Sequence, residues 1–293
     1  MREKIYMKIY ENIEMKEYSH MKVGGIAKEL IFIEEKKELK EVLNTRKNIF
    51  LLGNGTNTLL HDGKLDISFI SLKNFKKIII EEKHEDYDLV RVEAGLDFDE
   101  LIEFMEENNY TGLENIAGVP GSVGGLVNMN GGAYGTEIFD CIEEVEVCKN
   151  DGEITKLNKS QLDFKYRNTE IKQNKWIVIS VLLKFKKGFD KECVADKRNQ
   201  RKNKHPLEYP NLGSTFKNPE GTFAAQLISD AGLKEYRVGN AMVSAKHPNF
   251  IINLGDAKFS DIISIIEHVK KVVFEKFNTK LETEIIILKT EEE

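Results

Sequence analysis

Apolar residues recur along this chain with two periods, near 3.6 and near 2, and the switches between them mark out predicted elements. Ile5, Ile9 and Ile13 fall four apart, which predicts a helix over residues 1–15 with these side chains on one stripe. Residues 30–33 predict a strand, 37–43 a helix and 49–52 a buried strand, a βαβ-like opening. Further strands are predicted at 67–72, 77–81 and 89–93. A helix then starts at Asp97, where Asp97 and Glu100 form an Asp-x-x-Glu cap ahead of Leu101, Phe104 and Met105. Residues 142–148 and 153–157 flank Lys149-Asn150-Asp151-Gly152, whose Asp-Gly pair signals a hairpin. The apolar run at 176–185 predicts a fully buried strand. Residues 189–204 are polar and basic, a connecting helix at which the domain boundary is placed. Beyond it come a helix at 222–231 closed by Gly232 as a left-handed cap, and a long amphipathic helix from Ser260. The latter shows Ile262, Ile265, Ile266, Val269 and Val273 on one face, and a last strand follows at 281–288. This mixture predicts an α+β protein, not a clean doubly wound sheet.

Composition narrows the class. The 293 residues suggest two domains at roughly 100–200 residues each. With 41% hydrophobic and 31% charged residues the chain reads as soluble and globular. A net charge of -6 argues against a general nucleic-acid binder, so the basic stretch Lys197, Arg198, Arg201, Lys202, Lys204 reads as a solvated helix face. The longest apolar run, 176–183, is far shorter than the ~18 residues of a membrane span. The mixed charges of the first six residues do not resemble a secretory signal, so a cytoplasmic protein without a membrane partner is expected. Cys141, Cys148 and Cys193 form no Cys-x-x-Cys pair and suit a reducing compartment. The six histidines show no metal-ligand spacing, so no metal is expected.

Two glycine-rich segments carry the candidate chemistry. Gly53-Asn54-Gly55-Thr56-Asn57 follows a predicted strand, and closely spaced glycines let successive N–H groups point at an anion. It is neither the dinucleotide fingerprint nor a P-loop; a tight turn between strands is the other reading. Gly118-Val119-Pro120-Gly121-Ser122-Val123-Gly124-Gly125, with Asn130-Gly131-Gly132-Ala133-Tyr134-Gly135 after it, implies close backbone approach to a flat cofactor or a diphosphate, or else an irregular connector. Two such loops favour one extended ligand touching both. Arg167 offers a guanidinium fork for a carboxylate, or is a surface arginine. Ser214 is a loop serine between a glycine and polar residues, and Glu284 is a charge in a predicted strand. A turn residue and a solvent-facing position are their plain readings. No Ser-His-Asp or Cys-His set can be assembled.

In order along the chain, Val23-Gly24-Gly25-Ile26-Ala27, the first glycine loop, Gly112-Leu113-Glu114-Asn115-Ile116-Ala117-Gly118-Val119-Pro120-Gly121, Asn130–Gly135, Tyr166-Arg167, Pro206-Leu207-Glu208-Tyr209-Pro210, Gly213-Ser214, Phe216-Lys217-Asn218-Pro219 and Leu281-Glu282-Thr283-Glu284 resemble the UDP-N-acetylenolpyruvoylglucosamine reductase family, from about Tyr18 to Leu288. The resemblance implies an FAD-binding domain of the vanillyl-alcohol-oxidase type at 1–188, in two lobes (about 1–72 and 73–188). A connecting segment at 189–204 and a smaller α+β substrate-binding domain at 205–293 follow. It assigns Gly53, Asn54, Gly55, Thr56 and Asn57 to the FAD diphosphate. Gly118, Val119, Pro120, Gly121, Ser122, Gly124, Gly125, Asn130, Gly132 and Ala133 it assigns toward the flavin. The first loop has no histidine, so the FAD is expected to be noncovalent.

The implied reaction has two halves. NADPH reduces FAD, then UDP-N-acetylglucosamine enolpyruvate receives the hydride at its methylene carbon and becomes UDP-N-acetylmuramate, for peptidoglycan. Arg167 and Glu284 match residues that stabilise the developing charge, and Ser214 matches the proton donor. Tyr134, Tyr209, Lys217, Asn218 and His247 match the sugar-nucleotide site. Two departures stand out. Ile285-Ile286 replaces a common valine-arginine pair after the glutamate, and the short interval from Arg167 to Ser214 resembles the subgroup lacking an inserted tyrosine-bearing loop. A monomer acting on a small molecule is expected. The rival readings are another FAD-dependent alcohol or lactone oxidoreductase on this fold, or a catalytically silent nucleotide-sugar binder. The segment from Gly213 to Pro219 speaks against the first, and intact Arg167, Ser214 and Glu284 against the second.

Overall fold

A computed structural model describes residues 7–290. The chain forms two compact units. One takes the residues up to Glu11, then Glu29–Asn54 and Ile67–Gln200; the other takes Asn12–Lys28, Gly55–Asp66 and the residues from Arg201 on.

In the first unit an antiparallel sheet runs in the order Ile154–Asn158, Ile142–Cys148, Ile177–Lys187, Tyr87–Glu93, Ile78–Lys83. The apolar run read from the sequence is the central strand, and Ile179, Val181, Leu183 and Phe185 are fully buried. Its other face is mixed, with Ser180 donating to Glu146 Oε2 at 2.9 Å and with Leu182 and Lys184 only half-buried, as an antiparallel sheet allows. The predicted hairpin closes with the Lys149 N–H donating to the Glu153 carbonyl at 2.8 Å. The helix Phe98–Glu107 starts at Asp97, whose carboxylate accepts the Asp99 N–H. Glu100 makes no reciprocal cap and pairs with Lys76 at 3.3 Å instead. Phe98, Leu101 and Met105 of this helix join the core with Val90, Val92 and Phe185.

Beside that core, the Tyr110 hydroxyl donates to Asp88 Oδ2 at 2.5 Å and Lys187 Nζ reaches the same oxygen at 2.9 Å. The Lys187 ammonium also lies 4.0 Å from the centroid of the Tyr110 ring. The tyrosine hydrogen bond, joined by Lys187, holds the Asp88 carboxyl below its ordinary range against the opposing effect of burial. A depressed folded-state pKa stabilises the protein above the unfolded value of about 3.9, and that contribution fades as pH falls through the folded value. Asp88→Asn therefore lowers the thermal midpoint at neutral pH, and the gap to the parent closes below about pH 4. Melting curves of both proteins across that range check this; a gap independent of pH contradicts it.

The second unit has an antiparallel sheet of Arg237–Val238, Ala241–Val243 and Ile251–Asn253. The helix Phe259–Phe277 buries Ile262, Ile265, Ile266, Val269 and Val273, the stripe expected of it. A short helix, Ala224–Asp230, ends at Ala231 before Gly232 with φ +78°. Phe216 and Leu59 lie in the same core.

Three expectations need correcting. Lys8–Glu14 is a strand, not part of a helix, and the expected helix's first six residues lie outside the described residues. A spacing of four fits a helical stripe and is also two strand periods, so Ile9 and Ile13 did not discriminate. The second glycine segment hides a helix, Val123–Met129. The final strand is only Ile286–Leu288, and it runs parallel to Thr58–Leu60, an element the sequence did not suggest.

Candidate active site

Within the first unit the two glycine segments meet. A Cβ on Gly53 would lie 3.0 Å from the Ser122 hydroxyl oxygen. Asn54 Nδ2 donates to Asp97 Oδ2 at 2.8 Å, while Asp97 Oδ1 caps the helix behind it at 3.0 Å. The Phe98 N–H in turn donates to the Gly121 carbonyl at 2.9 Å. Asp97 thus ties the first loop to the turn that opens the second.

Ser122 caps the hidden helix by accepting the Gly125 N–H at 3.3 Å. Here Gly124 is required by close approach: its N–H donates to the Ala94 carbonyl at 2.8 Å, and an added Cβ would stand 2.7 Å from the Ala94 Cβ. Glycine inside a helix costs about 1 kcal/mol against alanine, which this packing offsets. That requirement is internal to the protein, whereas Gly118 and Gly121 belong to the loop before the helix.

The helix ends at Asn130, fully buried with φ +48°. Its Nδ2 donates to Glu137 Oε2 at 2.5 Å and to the Lys165 carbonyl at 3.4 Å, which fixes the amide's orientation. Its Oδ1 is buried without a partner among the described residues. The carbonyls of Asn130 and Gly132 accept from Arg167 Nη1 at 3.2 Å and Nη2 at 2.6 Å. Arg167 is therefore no loose surface arginine; both ends of its fork are anchored, and its Cζ lies 4.9 Å from the centroid of the Tyr166 ring. Ala133 pairs with Thr136 next to this anchor, and Tyr134 is exposed with Lys197 Nζ 5.0 Å from its ring centroid.

In the second unit, Gly55 has φ +66°, and an added Cβ would lie 2.0 Å from the Tyr18 carbonyl oxygen, so only glycine fits. The His20 N–H holds the Gly55 carbonyl at 3.0 Å, and a His20 ring nitrogen lies 3.2 Å from the Asn211 carbonyl. Asn57 Nδ2 donates to the Glu284 carbonyl at 3.2 Å. The Glu284 N–H donates to the Thr215 carbonyl at 2.8 Å, and Phe216 bridges Thr283. Ser214 and Glu284, 70 positions apart (284 − 214), are thereby brought onto paired segments, with Asn57 alongside.

Lys217 extends this pairing, its N–H on the Glu282 carbonyl at 2.9 Å and its Nζ on the Glu282 carboxylate at 3.0 Å. Asn218 Oδ1 accepts the Ala224 N–H at 3.1 Å at the head of the short helix. Tyr209 lines a cavity of about 310 Å³ with Lys16, Lys22, Asn253 and Asp256. The His247 ring packs 4.7 Å from Phe250 and 5.2 Å from His205, and both histidines bury an Nδ1 without a partner among the described residues. Burial pushes both below the ordinary histidine range, His205 to about 3, so the pair is neutral at pH 7.

His20, Asn211 and Asn249 escaped the sequence reading. Both asparagines follow a proline, as Pro210-Asn211 and Pro248-Asn249, and that turn-forming pairing was the available signal. Among the described residues no group of His, Cys, Asp or Glu has the arrangement of a metal site, and no helix is long and apolar enough to cross a membrane.

Two parts of the chain match known families. Residues 205–288 match the family model described as UDP-N-acetylenolpyruvoylglucosamine reductase, C-terminal domain, and residues 29–158 match an FAD binding domain. The chain is 52% identical over 285 residues to the UDP-N-acetylenolpyruvoylglucosamine reductase of Fusobacterium nucleatum, covering 97% of this chain and all of that one. It is 43% identical over 293 residues to the enzyme of that name from Clostridium novyi, covering 97% and 94%. The crystal structure of the Thermus caldophilus reductase is similar with a TM-score of 0.83 at 32% identity, over 97% of this chain and 100% of that one.

Proposed function

The chain belongs to the UDP-N-acetylenolpyruvoylglucosamine reductase family, and from that membership we propose that it reduces UDP-N-acetylglucosamine enolpyruvate to UDP-N-acetylmuramate for peptidoglycan, using noncovalent FAD with NADPH as reductant. It acts on this small molecule as a cytoplasmic monomer. The observation that carries the reading is the pairing of the Ser214 segment with the Glu284 segment through the Glu284 N–H and the Thr215 carbonyl at 2.8 Å.

The residues present suit a flavin nucleotide. The buried Asn130 Oδ1 is an acceptor lacking a donor among the described residues, as a cofactor N–H would supply. Among the described residues, and apart from the adjoining loop residues, the Ser122 hydroxyl oxygen is the only atom within 4 Å of a Cβ added at Gly53, which leaves that side of the glycine open to close approach. When bound, FAD supplies the two-electron relay between the nicotinamide and the enol ether.

Arg167 is the cation of the site. Its charge is held by two backbone carbonyls before substrate arrives, so no reorganisation is needed when negative charge builds on the enolpyruvyl carboxylate. Ser214 delivers the proton to the carbon next to that carboxylate. A hydroxyl is a weak acid, so its proton moves only as that carbon gains negative charge, with cations lowering the cost of the alkoxide left behind. Glu284 orients the reacting groups from the paired segment. Tyr134, Tyr209, Lys217, Asn218 and His247 serve the sugar-nucleotide.

Substrate-dependent oxidation of NADPH by the purified yellow protein tests the proposal. Turnover with NADPH that outpaces turnover with NADH, and that stops without the enolpyruvyl substrate, is expected. Steady oxidation by oxygen with no response to substrate would favour an oxidase instead.

A further inference from the structure

Ser214 makes its case through its neighbours, and those neighbours are pinned by one side chain. Asn249 is buried, with 3% of its surface exposed. Its carbonyl accepts the Thr215 N–H at 2.7 Å, its Oδ1 accepts the Phe216 N–H at 2.9 Å, and its Nδ2 donates to the Phe216 carbonyl at 2.8 Å. Donor and acceptor ends both meet complementary partners, so the amide has one orientation. The two peptide units on either side of Thr215 are thus both fixed by Asn249, and the second is held again by the Glu284 N–H on the Thr215 carbonyl at 2.8 Å. Upstream of the serine, buried Asn211 accepts the Gly213 N–H on Oδ1 at 2.9 Å and donates to the Tyr209 and Pro206 carbonyls at 2.8 and 3.2 Å.

We infer that Asn249 is a positioning residue for proton delivery, setting where Ser214 stands relative to Glu284 through the backbone of Thr215 and Phe216. The inference rests on the reading of Ser214 as the proton donor. Its physical basis is that the peptide following Ser214 is fixed by Asn249 and the Gly213 N–H before it is held by Asn211, which together limit where Ser214 can stand. An apolar residue in place of Asn249 would leave the Phe216 N–H and carbonyl buried without partners. A group that must hand over a proton has to sit within hydrogen-bond reach of its target, and displacement by about 1 Å costs on the order of 100-fold in rate.

Two variants test it, each prepared as the FAD-loaded enzyme. Asn249→Asp keeps the acceptor and loses the donor to Phe216; Asn249→Ser shortens the side chain and serves if the aspartate protein does not fold. Anaerobic rapid mixing separates the half in which NADPH is consumed from the half in which substrate is consumed. The expected result is an unchanged first half, a second half slowed about 100-fold, and an enlarged solvent deuterium effect on that second half. Placed on Ser214→Ala, the same substitution causes no further loss, because it acts through a hydroxyl already gone. In the cofactor-free protein, amide exchange at Thr215 and Phe216 speeds up. A loss of the same size with and without the Ser214 hydroxyl, or equal slowing of both halves, overturns the inference and leaves Asn249 a folding residue. The two readings fail differently. A Ser214→Ala enzyme that consumes substrate at the parent rate removes the proton-donor assignment itself. A slow Ser214→Ala enzyme beside fast Asn249 variants removes only the positioning role.

Discussion

In the Ser214→Ala enzyme the NADPH half of the cycle runs at the parent rate, and the half that consumes enolpyruvyl substrate slows about 10³-fold. Removing one hydroxyl deletes the proton source and leaves the surroundings intact, because Gly213 stays held by Asn211 and Thr215 by Asn249. The loss is therefore chemical, and substrate should bind the variant with near-parent affinity. Anaerobic rapid mixing measures the two halves separately. Parent-rate consumption of substrate would show that the proton comes from another group, and equal slowing of both halves would point to a disturbed fold.

Arg167→Lys is the second large effect. The planar fork of arginine spans two carbonyls at once, those of Asn130 and Gly132 at 3.2 and 2.6 Å. Lysine keeps the charge as a single compact ammonium on a flexible stem, so it cannot hold both carbonyls and present the same face to a carboxylate. Losing one preorganised donor at developing charge costs about 10²-fold or more in kcat. The Asn130 and Gly132 carbonyls would then lose their donors as well, loosening the turn that carries them. The expected signature is a lower kcat and a raised KM for the enolpyruvyl substrate, with the NADPH half unaffected. Retention of parent kcat by the lysine variant would mean that charge alone suffices there.

What the sequence made legible follows the physics of each element. The strand at the middle of the first sheet announced itself by a run of apolar residues, and the helix Phe259–Phe277 by its stripe, because each buries a face whose pattern the sequence carries over many residues. Lys8–Glu14 was misread because two isoleucines four apart satisfy both periods. The helix Val123–Met129 was invisible because Gly124 and Gly125 lower helix propensity, and the reason for glycine lies in Ala94, roughly 30 residues away in sequence. The site divides in the same way. Arg167, Ser214 and Glu284 carried no individual signal and became legible only as an ordered set of short motifs resembling one family. Asn249 and Asn211 stayed hidden because they work through hydrogen bonds to backbone, and the proline before each marks a turn without saying what the side chain holds.

The most direct test of the whole account is an anaerobic double-mixing experiment. The yellow enzyme is first reduced with one equivalent of NADPH, then mixed with UDP-N-acetylglucosamine enolpyruvate while the flavin absorbance is followed. The account predicts rapid return of the oxidised spectrum with formation of one equivalent of UDP-N-acetylmuramate. A reduced enzyme that stays reduced until oxygen is admitted, with the enolpyruvyl substrate recovered unchanged, would contradict it.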